Sequence, residues 1–141
     1  MSQENVEIVR RMCEAFARGD WDEAFEPLDP HVEWDASTHY PWPDSEKFKG
    51  LNGVRDFFCR FLGTWETYEA EFEEFIDADD SVVVILTERG TGKGSGVEVR
   101  RTFAHVWTLR DGKVVSFTAY LDRESALDAV GLSDQDAHAD S

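Results

Sequence analysis

The feature that most constrains this chain is a change of period part-way along it. From about Thr67 onward the period changes to two in four successive segments, Tyr68 to Asp77, Ser81 to Lys93 with its apolar run, Val97 to Arg110 and Lys113 to Leu121. Alternation of this kind marks strands with one buried face. The joins are Asp79-Asp80, the run Gly90-Thr91-Gly92-Lys93-Gly94-Ser95-Gly96, and Asp111-Gly112. All are turn chemistry, so the four segments predict an antiparallel meander.

Upstream the spacing is helical. Ile8, Val9, Met12, Cys13 and Phe16 form one stripe between about Glu4 and Arg18, and Gly19-Asp20 supplies a stop followed by a new N-cap. Asp20 then opens a short helix over Trp21 to Phe25 that ends near Pro27, with acidic groups in the first turn where the helix dipole favours them. Pro30 closes the turn. His31 to Asp35 reads as a short strand and Ser37 to Gly50 as a loop. Leu51, Val54, Phe57, Phe58, Phe61 and Leu62 give a third helical stripe, and a last short helix runs from Glu124 to Val130. The order ααβαββββ predicts an α+β fold, a strongly curved antiparallel sheet with helices gathered on one face. At 141 residues there is room for one domain, taken as 1–132, with a polar tail at 133–141.

Charge excludes several functions. Fourteen Lys and Arg against 30 Asp and Glu leave a net charge of −16, which opposes a nucleic-acid backbone or an anionic membrane surface. Runs such as Val82-Val83-Val84-Ile85-Leu86 argue against disorder despite that charge. No apolar stretch is long enough for a membrane span, and the N-terminus carries charges where a signal peptide would be apolar, so a cytoplasmic location is expected. Cys13 and Cys59 form no CxxC pair and read as reduced core thiols. His31, His39, His105 and His138 have no HxH or HExxH spacing, the glycine-rich run lies between strands rather than before a helix, and GxSxG is absent. No metal or other cofactor is expected.

Several stretches together resemble a known family: the Gly19-Asp20-Trp21 break between the first helices, Val32-Glu33-Trp34-Asp35, Gly50-Leu51-Asn52-Gly53-Val54, the closing hairpin His105 to Val114, and the ending Tyr120 to Leu127. The chain resembles the nuclear transport factor 2-like superfamily over about Glu4 to Leu132. Within it, the chain looks like the SnoaL-like branch related to ketosteroid isomerase, polyketide cyclases and limonene epoxide hydrolase. The resemblance implies a cone-shaped fold with an apolar cavity between helices and sheet, and a homodimer. It says little about chemistry, because one scaffold hosts enzymes and non-enzymes alike.

By the same resemblance Asp35 falls at or beside the isomerase's proton-abstracting aspartate, and His105 where it has a hydrogen-bond donor. A carboxylate base opposite such a donor is what proton transfer next to a carbonyl requires. The plainer alternatives are a turn-capping Asp35 and a core histidine at 105. The isomerase's tyrosine on the first helix falls at Met12, which leaves Tyr40 as a substitute phenol or a lid residue. The epoxide hydrolase set falls at Thr91, Arg89 and Ala119, so only the arginine remains.

Independently, strand alternation places Arg101, Phe103, His105 and Trp107 on one face, a pocket wall. Phe16, Trp34, Phe58 and Phe117 belong to an aromatic surplus that either lines a cavity or fills the cone. Arg89 and Arg101 read as donors to a carboxylate or enolate, or as paired surface arginines. Arg89 to Lys113 holds six basic residues against two acidic ones. The expected ligand is therefore a small apolar molecule with room for one anionic oxygen, and the expected chemistry cofactor-free isomerase or cyclase type. The rival expectation is a non-catalytic ligand-binding or dimeric scaffold protein.

Overall fold

The computed structural model describes residues 2–38 and 48–133. Helix α1 (Ser2–Ala17) buries Val6, Val9, Met12 and Cys13 on one stripe, and Gly19 reverses the chain at φ 77°. The Asp20 side chain then accepts from the Glu23 backbone N–H at 3.2 Å and starts α2 (Trp21–Phe25). Strand β1 (Leu28–Asp35) is longer than the sequence suggests and contains Pro30. A proline is tolerated there because β1 is an edge strand, and its pairing is irregular between Leu28 and Glu33. Helix α3 (Gly50–Gly63) buries Val54, Phe57, Phe58 and Phe61.

The meander follows as β2 (Trp65–Ala78), β3 (Ser81–Gly92), β4 (Glu98–Arg110) and β5 (Lys113–Tyr120), and α4 (Arg123–Ala129) closes the described chain. Its three pairings are antiparallel. Asp111 and Gly112, at φ 52° and 76°, make the tight turn whose twist matches the flanking strands. The sheet order is β1-β5-β4-β3-β2, and β1 lies parallel to β5, so the sheet is mixed rather than wholly antiparallel. A first strand separated from the rest by a helix is free to add at the far edge in either direction, which the alternation of its side chains does not report. Register shifts in β2 and between Thr108 and Leu109 bend the sheet.

The main core lies between the sheet's concave face and α1 and α3, while a smaller cluster of Ile76, Val83, Ile85, Ala104 and Val106 meets α4 on the outer face. Cys13 belongs to the main core, but Cys59 is exposed, a correction to the expectation that both are core thiols. Cys59 follows Phe58 on α3 and points away from the Val54-Phe57-Phe58-Phe61 stripe. No helix among the described residues is long and apolar enough to cross a membrane. Tyr40 and the tail beyond Ser133 lie outside the described residues.

Candidate functional site

The concave face and the helices line a partly open cavity of about 70 Å³. Its wall is built by register. Trp34 of β1 pairs with Phe117 of β5, and Phe117 with Trp107 of β4, so three rings stand abreast across the sheet. Trp34 stacks on Phe117 at 4.0 Å and 18°, and Trp107 meets the same ring edge-on at 4.7 Å. Two residues on, the cavity wall holds only Ala36 and Ala119, with His105 in register beside Ala119. Large side chains followed by small ones leave the space into which His105 projects. Its ring lies 4.5 Å from Phe117 and 5.1 Å from Phe103. From α1 and α3, Met12, Cys13, Phe16, Phe57, Phe58 and Phe61 face it, and α2 adds Ala24 and Phe25. Burial and the nearby Glu14 carboxylate push the Cys13 thiol far up, which keeps it protonated and inert.

One charged group enters this apolar space. Glu88 is 1% exposed, lines the cavity, and receives hydrogen bonds from Tyr68 Oη at 2.9 Å and Arg101 Nε at 2.6 Å. Arg101 itself is about one-third exposed. The carboxylate is thus desolvated but held by a cation and a phenol, the condition under which a buried charge is tolerated. Among the described residues, the indole N–H groups of Trp34 and Trp107 are buried with no hydrogen-bond partner. A buried donor in that state costs about 1–3 kcal/mol.

The structure separates the residues that the sequence pairs. His105, Phe16, Trp34, Phe58, Phe103, Trp107 and Phe117 all line the cavity, as expected of a pocket wall. Asp35 does not. It pairs with Thr118 and His105 with Ala119, and these consecutive residues of β5 face opposite sides of the sheet. Asp35 is exposed, and its Oδ1 accepts from the Ser37 backbone N–H at 3.0 Å and the Ser37 hydroxyl at 2.5 Å. It is the turn-capping residue of the plainer alternative. The inward neighbour is Ala36, so no carboxylate faces His105 from this strand. Arg89 lies on the outer face near Glu69 and Glu71, at 3.4 and 3.8 Å, away from the cavity. Arg101 keeps the cavity-side parity but is bound to Glu88. Met12 lines the cavity where the isomerase-like alignment has a tyrosine, and a phenol arrives instead from Tyr68 on β2.

Glu88 and Tyr68 were not legible as site residues. A weak signal existed, since Glu88 shares strand parity with Val82, Val84 and Leu86. Both faces of β3 are buried along that run, however, and the parity of its polar exception carries no contrast. No cluster of three or more His, Cys, Asp or Glu side chains among the described residues could hold a metal ion.

A family model described as a SnoaL-like domain matches residues 9–117, from α1 to the Phe117 that anchors the ring row. The chain belongs to the SnoaL-like family. Among solved structures, this SnoaL-like chain is similar to an NTF2-like protein of unknown function from Burkholderia pseudomallei, with 26% identity over 91% of this chain and 98% of that one and a TM-score of 0.74. An NTF2-like protein from Burkholderia thailandensis is 26% identical over 84% and 90% of the two chains, also with a TM-score of 0.74. TerC, co-crystallised with polyporic acid, is 23% identical over 90% and 98%, with a TM-score of 0.73, a likeness of fold. No curated protein matches the chain in sequence. Other neighbours carry the cystatin-like fold description.

Proposed function

We propose that this SnoaL-like protein binds a small, flat, largely apolar molecule between the ring row and helices α1 and α3. The observation that carries the reading is the cavity wall itself: mostly aromatic rings, with aliphatic side chains such as Met12, Leu28 and Leu86 between them and a few polar groups, Glu88, Tyr68 and His105, at defined positions, the composition of a small-molecule site. That TerC was co-crystallised with polyporic acid agrees with this use of the fold. A cavity that binds benzene measures about 150 Å³. At about 70 Å³ the present one admits part of a ring-sized ligand, so binding requires rim side chains such as Phe16 or Phe25 to swing aside.

Filling the void tests this. Ala119→Leu places a branched side chain beside His105, and Ala36→Leu does so from β1. A panel of aromatic and alicyclic compounds is screened by thermal denaturation, where a ligand at a hundred times its Kd adds about 2.7 kcal/mol of stability. Compounds that stabilise the wild type should lose the effect in both filled variants. Equal stabilisation of wild type and filled variants would place the site elsewhere.

A second reading, proton transfer on a bound carbonyl compound, is supported by one observation: His105 is a titratable group on the cavity wall. It is the weaker reading because its partner base is missing. The described cavity carboxylate, Glu88, is in register with Arg101, four residues along β4 from His105 and so about 13 Å away along the strand. We also infer a homodimer through the outer face of the sheet, on which the seven-residue α4 packs. Sedimentation giving twice 16.1 kDa is expected, and a monomer at high concentration would refute it.

A further inference from the structure

Three observations converge at one end of the cavity. First, Trp34 and Trp107 are 6% and 8% exposed and both line it. Second, their rings stand 5.5 Å apart at 76°, with Phe117 between them in register, so the two indoles belong to one stretch of wall. Third, neither indole N–H has an acceptor among the described residues. Buried tryptophans ordinarily find a partner for this group, and an unpaired one calls for an explanation. An acceptor admitted as the rim side chains swing aside would supply it.

The chemistry of that acceptor is constrained by what else faces it. Within the described lining the ionisable groups besides Cys13 and Tyr68 are Glu88, which engages the Arg101 guanidinium, and His105 beside Ala119. An anionic headgroup would meet no uncommitted guanidinium there and would be desolvated among rings. A ketone, quinone or ester oxygen loses little hydration and accepts two hydrogen bonds through its lone pairs. Ala36 and Ala119 leave room beside the ring row for such a group. On the ligand-binding reading above, we propose that the buried end of the ligand carries a neutral carbonyl-type oxygen, recognised by the indole N–H groups of Trp34 and Trp107. The anionic oxygen suggested by the basic residues of β3 and β4 is thereby replaced with an uncharged one.

The test compares two molecules of nearly the same shape, acetophenone and ethylbenzene, with benzoate as the charged member. Indole N–H resonances of the full-length protein are assigned through Trp34→Phe, Trp107→Phe and Trp65→Phe and followed by two-dimensional NMR during titration. Trp65 is the control, because its indole also lacks an acceptor but it lies outside the cavity lining. Acetophenone should move the Trp34 and Trp107 indole protons downfield and bind about 3- to 10-fold more tightly than it does to either cavity Trp→Phe variant, the range of one hydrogen bond. Ethylbenzene affinity should change less than twofold in those variants, benzoate should bind more weakly than acetophenone, and Trp65→Phe should alter nothing.

Binding of both neutral probes with no difference among variants would overturn the carbonyl assignment while leaving the cavity a binding site. Indole protons that contact a long-lived water and stay unmoved by acetophenone would also overturn it, since the donors would then serve buried solvent. Failure of every probe to perturb any cavity resonance at millimolar concentration would overturn the ligand-binding reading itself. Should a Trp→Phe variant unfold, the downfield shift in wild type, present with acetophenone and absent with ethylbenzene, decides the matter alone.

Discussion

Removing Arg101 should harm this protein more than removing the charge it neutralises. Glu88 is 1% exposed, whereas the Arg101 side chain is 36% exposed and can reach water when its partner is gone. Arg101→Met therefore takes the cation away from a buried carboxylate to which Tyr68 also donates, while Glu88→Gln leaves a cation that solvent can accept. Breaking a fully buried pair from one side costs about 3–5 kcal/mol, and solvent access on the arginine side reduces this to about 2–3 kcal/mol for Arg101→Met. Glu88→Gln keeps the shape and an acceptor for one donor and should cost about 1 kcal/mol. The double variant Glu88→Leu with Arg101→Met, apolar on both sides, should return to within about 1 kcal/mol of wild type. Urea denaturation with an unchanged m-value reads these differences directly, and Arg101→Met should lower the midpoint by about 1–2 M. An Arg101→Met cost below about 0.5 kcal/mol, or a larger cost for Glu88→Gln, would refute the reasoning, because the carboxylate would then be solvated in a way its burial does not allow.

Other outcomes follow from the same structure. Cys13 has a thiol pushed up by burial while the unfolded thiol ionises near 9.0, so the folded state holds a proton that the unfolded state releases as pH rises. Stability should fall above about pH 9, by about 1.4 kcal/mol at pH 10, and Cys13→Ala should remove that part of the alkaline slope in urea titrations at pH 8 and 10. In native protein a thiol reagent should modify Cys59 first and Cys13 only on unfolding; simultaneous reaction would contradict the burial of α1. Asp35→Ala should cost about 1 kcal/mol through loss of its turn to Ser37 and leave ligand-induced thermal shifts unchanged; a loss of binding would restore Asp35 to the site. Gly90→Ala should cost about 1–3 kcal/mol, since an added Cβ would fall 2.5 Å from Trp65 Cε3 and closer still to the Thr67 carbonyl oxygen, and an unchanged melting temperature would argue against that packing.

How much of the site could be read from the sequence depended on contrast between strand faces. On β4 Arg100, Thr102 and Thr108 mark the face opposite Phe103, His105 and Trp107, and although Ala104 and Val106 on that face are buried under α4, the polar residues at both ends of the strand made the pocket wall legible. On β3 the chain is apolar on both faces from Val82 to Leu86, one towards the cavity and one towards α4, so Glu88 looked like the first solvated residue after a buried strand and is instead the cavity's carboxylate. On β1 the facing of a single residue decided the outcome. A displacement of one along a strand exchanges its two faces, and here the cavity position is Ala36 while Asp35 faces outward and holds the turn to Ser37. The parallel seating of β1 was hidden for a related reason: alternation reports which face a residue joins and is silent about strand direction. Fold therefore survives such slips, because it rests on many periods summed over long segments. A catalytic pair does not, because it rests on two residues whose facing can be reversed by a single step, and here that step removes the base and leaves a wall of rings with two unanswered donors.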